Sequence, residues 1–257
     1  MAVNGACAWA LITPSSGPME GLNIAENDRQ RGETGPDFRH VRNWIFDLDN
    51  TLYRADNGIF AQIEARMTEY VMAFLKLERD EAYARQKELY RRYGTTLNGL
   101  MCEHGAEPDA YLGYVHDIDL SGLGPDRALG QAIARLPGRR FVFTNGCRDH
   151  AARILERLEM TGLFDAVWDI RSMAFAPKPQ AQAYASVVEA AKLSCGEAAM
   201  FDDIARNLVP ARAMGMTTVW LKTDSPWGKH GPLMDVAEGD IDHETDNLTD
   251  FLNTIRI

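Results

Sequence analysis

The chain has 257 residues, 46% of them hydrophobic, which is enough for one large domain or for a domain that carries a smaller insertion. Its formal net charge of −10 and its pI near 5.1 argue against nucleic acid or an anionic membrane surface as the main partner, because both require a basic protein surface. The longest apolar stretches fall well short of the roughly 18 residues of a membrane span.

The four cysteines, Cys7, Cys102, Cys147 and Cys195, are far apart in the chain and form no CxxC pair. This distribution suits a reducing compartment better than a disulfide framework or a zinc site. We therefore expect a cytoplasmic protein.

The N-terminal segment has no periodic pattern. Residues 13–40 are rich in Gly, Pro, Ser and charge, and the short apolar patch before them lacks the positive residues of a secretory signal. We predict a poorly ordered extension over residues 1–40.

The first apolar run, WIFD at 44–47, ends in an acidic pair. Asp47 and Asp49 stand one residue apart and are followed by Asn50 and Thr51. Carboxylates this close raise each other's pKa unless a cation or a specific task keeps them ionised. The segment is therefore either a solvated turn or half of a metal site.

The chain then changes to a helical pattern. Apolar residues recur at spacings of three and four from Ile59 to Leu75, and further helix-like stretches cover 80–93, 96–104 and 108–117. Residues 119–126 have the composition of a loop. We predict an all-α insertion over residues 55–123, between a first strand and the remainder of a core formed by residues 41–54 and 124–257.

Beyond the insertion, apolar runs alternate with amphipathic stretches at 149–164 and 179–193. Strands that alternate with helices of this length predict βαβ units and a parallel sheet. We therefore predict an α/β fold with a doubly wound, Rossmann-like core and a helical cap. Including the first strand, which precedes the insertion, the predicted strands are 44–47, 140–145, 166–170, 199–203 and 217–222.

Polar residues follow several of these strands, at the edge where an open parallel sheet binds its ligands. Besides the first pair, Thr144 ends the second strand, Asp202 and Asp203 end the fourth, and Lys178 lies between two prolines. Any one of them alone is an ordinary turn, cap or loop residue. Together, however, clustered carboxylates require a hard cation such as Mg²⁺, and a lysine and a hydroxyl beside them suit a phosphoryl group.

This set of residues resembles the haloacid dehalogenase-like (HAD) superfamily over nearly all of residues 41–222. The resemblance implies that Asp47 is a nucleophile that forms an aspartyl-phosphate, and that Asp49 protonates the leaving oxygen and later activates water. It also implies that Thr144 and Lys178 hold the transferring phosphoryl group, beside Asn145 and Gly146.

The resemblance also implies a set of magnesium ligands: Asp47, the backbone carbonyl of Asp49, and one acid of the Asp202-Asp203 pair. By comparison with related versions of this box we select Asp203. Asp202, Asn207 and Thr51 are then expected to support the ligands through hydrogen bonds.

Asp49 also favours one activity within that superfamily. Its dehalogenases lack a carboxylate at this position, because a departing halide needs no proton, whereas an alkoxide does. The sequence therefore favours a phosphatase over a dehalogenase.

The insertion contains the segment LYRRYGTTLNGLMCEHG at 89–105, which resembles a segment of the pyrimidine 5'-nucleotidase subgroup. In that interpretation Tyr93 stacks on a base, while Thr95, Thr96 and Asn98 contact its polar edges. The alternative is a helix N-terminus, in which Thr95 or Thr96 caps free N–H groups.

His150 follows the second predicted strand, where it could contact a phosphate or a ribose, although a histidine in the first turn of a helix is often structural. The main expectation is a phosphatase acting on a small phosphate ester, above all a pyrimidine nucleoside monophosphate. A sugar-phosphate or phosphoglycolate phosphatase, and a non-catalytic binding module on the same fold, are the alternatives. The sequence does not indicate an oligomeric state.

Overall fold

A computed structural model describes residues 35–223, 236–237 and 239–257. Its centre is a six-stranded parallel sheet with the strand order β3-β2-β1-β4-β5-β6. The first strand is therefore central, with β2 and β4 as its neighbours. The strands are β1 Asn43–Phe46, β2 Arg139–Phe143, β3 Ala166–Trp168, β4 Ala198–Asp202, β5 Thr217–Leu221 and β6 His243–Thr245.

Apolar side chains cover both faces of the sheet, as expected for a parallel sheet with helices on each side. Trp44 and Phe46 of β1 point into one core cluster, whereas Ile45 points into the other. The core helices that pack on these faces are α5 Arg127–Ala134, α6 Arg148–Arg157, α7 Ala181–Ala191, α8 Ala205–Ala213 and α9 Leu248–Thr254. This arrangement confirms the predicted doubly wound α/β core.

A helical cap is inserted between β1 and β2. It begins with a 3₁₀ turn at Ala55–Asn57, and the whole interval between these strands, all of which the structure describes, contains no other strand. The predicted all-α insertion is thus confirmed. Its helices are α1 Ile59–Leu75, α2 Arg79–Tyr93, α3 Thr96–His104 and α4 Pro108–Val115.

The sequence patterns did not predict β6, α5, α8 or α9. β6 has 3 residues, α9 has 7, and α8 contains Pro210, so these three elements present no long periodic pattern. α5 contributes Leu129, Ala132 and Ile133 to a core cluster.

The predicted N-terminal extension is wrong over residues 35–40. Phe38 is fully buried, stacks on Trp44 with ring centroids 5.9 Å apart, and its backbone N–H donates to Arg256 at 2.8 Å. One large aromatic residue anchors this segment to the C-terminal helix, although its neighbours have the composition of a loop. Residues 1–34, the rest of that prediction, lie outside the described residues.

Within the described part of the chain, every helix is too short or too polar to cross a membrane. The cysteines described there, Cys102, Cys147 and Cys195, are free thiols. Cys7 lies outside the described residues.

Phe38→Ala should lower the free energy of unfolding by about 3–5 kcal/mol, because it leaves a cavity in a core that cannot fully close. Urea denaturation would measure the change. Arg39→Ala is the matched control, since Arg39 is the exposed neighbour and should be almost neutral. Equal effects of the two substitutions would contradict the anchoring role of Phe38.

Candidate active site

The strand order brings the predicted site residues together. Asp47 directly follows β1, Thr144 follows β2, and Asp202 and Asp203 lie at the end of β4. Because β2 and β4 flank β1, the three strand ends meet at one edge of the sheet, under the cap. Lys178 enters the same place from the loop before α7.

Lys178 joins two of the carboxylates. Its Nζ donates to Asp47 Oδ1 and to Asp202 Oδ2, both at 2.7 Å, and its side chain is 1% exposed. Burial alone would lower the pKa of Lys178, but the charges of Asp202 and Asp47 outweigh burial and raise that pKa above its ordinary value. The lysine is therefore a permanent cation between two acids.

The two acids that end β4 differ in their contacts. Asp202 accepts from Lys178 through Oδ2, from the Ile204 N–H at 2.9 Å through Oδ1, and from the Asn207 amide at 3.0 Å. Asp203 is buried, yet its Oδ2 has no hydrogen-bond partner among the described residues. Burial, with the charges of Asp47 and Asp202, raises the pKa of Asp203 well above its usual range.

Asp47, Asp202 and Asp203 offer carboxylate oxygens that all lie within 4.8 Å of one another. One lysine balances only one of three negative charges, and an unpartnered buried oxygen is costly. Three hard oxygen donors with an unbalanced charge fit a divalent cation such as Mg²⁺. Because both oxygens of Asp202 are already occupied, Asp203 is the acid of this pair that is free to bind a cation.

The surroundings of Asp47 and Asp49 shift the pKa values of these two acids in opposite directions. Burial, with the charges of Asp202 and Asp49, raises the pKa of Asp47 to about 7, although Lys178 opposes the shift. Burial acts in the same direction on Asp49, but there His150 and the Tyr53 hydroxyl outweigh it and leave that pKa below its ordinary value. Two acids that are two residues apart thus have different proton affinities, and without a bound cation Asp47 holds its proton more tightly than Asp49.

Three further predicted residues surround this group. The Thr51 hydroxyl donates to Asp47 Oδ2 at 3.3 Å. The Thr144 hydroxyl accepts from the Gly146 N–H at 2.9 Å. Asn145 accepts from the Lys178 N–H at 2.8 Å and donates to the Lys178 carbonyl at 3.2 Å, so its amide fixes the lysine loop.

A pocket of about 120 Å³ lies above these residues, and the cap forms one of its walls. The wall that the cap contributes is mostly apolar and, among the described residues, contains no Lys, Arg, Asp or Glu. Its one titratable imidazole, His116, has a pKa lowered to about 3 by burial and by His150. The apolar side chains of this wall are Phe60, Ile63, Met67, Leu97, Leu112 and Val115.

A family model described as haloacid dehalogenase-like hydrolase matches residues 41–215, which is more than half of the chain. The matched region includes every strand end described above. The chain belongs to the haloacid dehalogenase-like hydrolases.

Among curated proteins, Phosphate metabolism protein 8 of Saccharomyces cerevisiae is 28% identical to this hydrolase over 195 residues. The match covers 67% of this chain and 59% of the yeast protein. The chain therefore spans about three fifths of the length of that curated relative.

Solved structures of two other hydrolases have a similar fold. A HAD phosphatase from Thermococcus onnurineus has a TM-score of 0.54 and 18% identity, covering 84% of this chain and all of that one. A dehalogenase solved with an intermediate complex has a TM-score of 0.53 and 13% identity, covering 85% of this chain and 98% of that one. Phosphatases and dehalogenases share this fold, so the fold alone does not decide the reaction.

Two cap residues predicted to contact substrate, Tyr93 and Asn98, do not line the pocket. Tyr93 does not line the pocket, because its hydroxyl donates to Glu103 at 2.7 Å. Asn98 also lies outside the lining, and its amide donates to the Tyr93 carbonyl at 3.0 Å. The structure thus places Tyr93 and Asn98 away from the pocket, and their contacts with a base stay predictions.

Thr95 and Thr96 do line the pocket. Thr95 nevertheless caps α3, since its hydroxyl accepts from the Asn98 N–H at 3.1 Å, as in the alternative interpretation. Gly94 has a φ of 83°, in the left-handed region that favours glycine. It packs so closely on Pro177 that a Cβ at this position would lie 2.8 Å from the proline ring. The cap segment thus sits directly on the loop that carries Lys178.

The structure also places His150 away from the pocket, so its contact with substrate stays a prediction. Its side chain is fully buried and does not line the pocket, and its Nε2 instead bonds Asp49 Oδ1 at 2.8 Å. Sequence reasoning missed Tyr53, whose hydroxyl bonds the same oxygen at 2.5 Å. The one sequence signal for Tyr53 was its spacing of four residues from Asp49. No sequence signal indicated His116, which faces the pocket from the end of α4.

Asp202→Asn and Asp203→Asn should change stability in opposite directions in the metal-free protein. Asp202→Asn breaks a buried ion pair and should cost about 3–5 kcal/mol of unfolding free energy. Asp203→Asn removes a buried carboxyl group whose raised pKa makes folding less favourable at neutral pH, and it should add about 1 kcal/mol. Urea denaturation in EDTA at neutral pH would measure both, and each isosteric variant is the control for the other. A loss of stability in Asp203→Asn would contradict the assignment of the free oxygen.

Proposed function

We propose that this hydrolase is a Mg²⁺-dependent phosphomonoesterase. The observation that carries the proposal is Asp49, a second carboxylate that lines the pocket beside the Lys178-paired Asp47. Expulsion of a halide requires no proton, whereas cleavage of a phosphate ester releases an alkoxide that does. A positioned acid in addition to the nucleophile therefore favours phosphate esters over haloacids.

In the proposed reaction, an Asp47 oxygen attacks phosphorus and forms an aspartyl-phosphate, while the bond from phosphorus to the ester oxygen breaks. The departing oxygen takes a proton from Asp49. Asp49 then accepts a proton from water as the water oxygen attacks phosphorus. The bond between phosphorus and Asp47 breaks, so inorganic phosphate leaves and both carboxyl groups return to their starting states.

The positive charge at the phosphoryl position comes from the chain itself. Lys178 is fixed on Asp47 and Asp202, and its loop is held by the Asn145 amide. Thr144 offers a hydroxyl at the end of β2. These groups are placed before substrate binds, so little reorganisation is needed as charge develops on the phosphoryl oxygens.

Mg²⁺ would be held by the side chains of Asp47 and Asp203 and by the Asp49 carbonyl, and would neutralise charge on the acids and on the phosphoryl group. The proposal rests on the oxygen donors already in place, above all the unpartnered oxygen of Asp203. Asp202, Asn207 and Thr51 would keep these donors in position.

The substrate we propose is a nucleoside monophosphate, with pyrimidine nucleotides first. The uncharged cap wall favours a leaving group that is neutral and partly apolar, such as a nucleoside. It offers no cation for the carboxylate of phosphoglycolate, so within the alternatives a neutral sugar phosphate ranks above phosphoglycolate. The printed name of the yeast relative refers to phosphate metabolism, which is consistent with a phosphate ester as substrate.

We further propose that the partner is this small molecule alone, without nucleic acid or a membrane surface, and that the enzyme works in the cytoplasm. The acidic overall charge supports the first of these proposals. Dispersed cysteines support the second.

Asp47→Asn should lower phosphate release at least about 1,000-fold, since an amide is no nucleophile for phosphorus. Release would be measured with UMP and Mg²⁺, and thermal unfolding would show that the variant is folded. Asp56→Asn is the matched control, because Asp56 is an exposed acid a short distance along the chain and should keep full activity. Full activity in Asp47→Asn would refute the assigned nucleophile.

The substrate class can be tested with a panel of esters. UMP, CMP and dTMP should be hydrolysed with higher kcat/KM than phosphoglycolate, and EDTA should abolish release until Mg²⁺ is added in excess. The panel includes AMP, GMP, sugar phosphates and, for halide release, L-2-chloropropionate. Preference for a sugar phosphate would support the proposed reaction but contradict the proposal that the substrate is a nucleotide. Halide release without phosphate release would contradict the proposal that the enzyme is a phosphatase.

A further inference from the structure

The two oxygens of the Asp49 carboxylate have different surroundings. Oδ1 accepts from the Tyr53 hydroxyl at 2.5 Å and from His150 Nε2 at 2.8 Å. Oδ2 lies on the side of Gly146, where a methyl group added to that glycine would come within 3.6 Å of Oδ2 and 3.3 Å of Thr144 Oγ1. One oxygen is thus held from the protein side, and the other faces the position proposed for the phosphoryl group.

His150 can bond Asp49 only as a donor, because a carboxylate oxygen accepts. Nε2 therefore carries a hydrogen, and Nδ1 is buried without a partner among the described residues. A polar ring buried at this cost, with one of its two nitrogens unsatisfied, requires a compensating role. Within the described part of the chain, the one polar contact of the ring is with Asp49.

A second imidazole fixes the plane of this ring. His116 stacks on His150 with centroids 4.4 Å apart and an interplanar angle of 11°. His116 is itself held, since its Nδ1 lies 3.1 Å from Cys147 Sγ and its carbonyl accepts from Arg153 at 2.8 Å. His116 comes from the cap and also lines the pocket, so the stack connects the cap to Asp49.

We propose that His150 is a positioning residue for Asp49. Together with Tyr53 it occupies Oδ1 with two donors, so a proton on the carboxyl group must sit on Oδ2, the oxygen that faces the ester. The side chain of Asp49 is thereby aimed to give its proton to the leaving oxygen. The inference rests on the proposed function, in which Asp49 is the acid of the first step.

This role differs from a purely structural one in its dependence on the leaving group. An ester with a poor leaving group, such as the ribose 5'-oxygen of UMP, needs the proton of Asp49. p-Nitrophenyl phosphate releases a stable phenolate and needs it little. The value of kcat/KM depends only on the steps up to and including cleavage of the ester. It does not depend on the later attack of water on the aspartyl-phosphate, which is the same step for every substrate.

Two variants separate the donor from the ring. His150→Phe keeps an aromatic ring for the stack on His116 but removes the donor, and His150→Gln keeps a donor near the Nε2 position but removes the ring. We expect His150→Phe to lower kcat/KM for UMP about 100-fold and that for p-nitrophenyl phosphate less than about threefold. His150→Gln should recover at least about tenfold of the loss on UMP.

Wild-type enzyme is measured first on both esters, so that a failure of the proposed function can be distinguished from a failure of the positioning role of His150. No release from either ester by the wild type would refute the proposed function itself. An active wild type with an equal loss on both esters in His150→Phe, or with no loss, would overturn the positioning role alone. So would a lack of rescue in a folded His150→Gln. If His150→Phe does not fold, Tyr53→Phe removes the other donor to Oδ1 and must show the same selective loss on UMP.

Discussion

The buried cation between Asp47 and Asp202 is the interaction on which the rest of the site depends. Lys178 can join these acids only because β1 and β4 are neighbours in the sheet, so that their carboxyl ends are adjacent. Removing it would leave two buried carboxylates without a counter-charge, which costs far more than the pair contributes. In the proposed function the same ammonium would also contact the phosphoryl group. Folding and chemistry therefore constrain this one side chain together.

The cap supplies the complementary half of the site. Its wall adds no formal charge, so the polar groups below it act in a medium of low polarity, where each hydrogen bond and charge has a larger effect. The close packing of Gly94 on Pro177 and the stack of His116 on His150 join this wall to the core at two places. Gly94 packs on the proline next to Lys178, and His116 stacks on the ring that bonds Asp49. The cap therefore contacts the residues that position both Lys178 and Asp49.

Sequence patterns predicted the sheet core and the polar residues at its strand ends, because both are local signals: apolar runs of strand length and the residues that end them. They could not predict contacts between residues far apart in the chain, such as that between Asp49 and His150. Tyr93 shows the opposite failure, since a local motif suggested a pocket residue and the tertiary structure turned it toward Glu103. Phe38 was missed because its burial depends on the C-terminal helix, more than 200 residues away.

The two acids after β1 show why their surroundings, rather than their identity, define the site. Burial and the charges of Asp202 and Asp49 raise the pKa of Asp47 to about 7, so at neutral pH much of it would hold a proton if Lys178 were its only counter-charge. A protonated carboxyl group is a poor nucleophile. Asp49 faces donors instead of acids, and its pKa is lowered. A divalent cation at the free oxygen of Asp203 would therefore keep Asp47 ionised for attack, in addition to binding phosphate. The proton affinity of Asp49 would be governed by Tyr53 and His150.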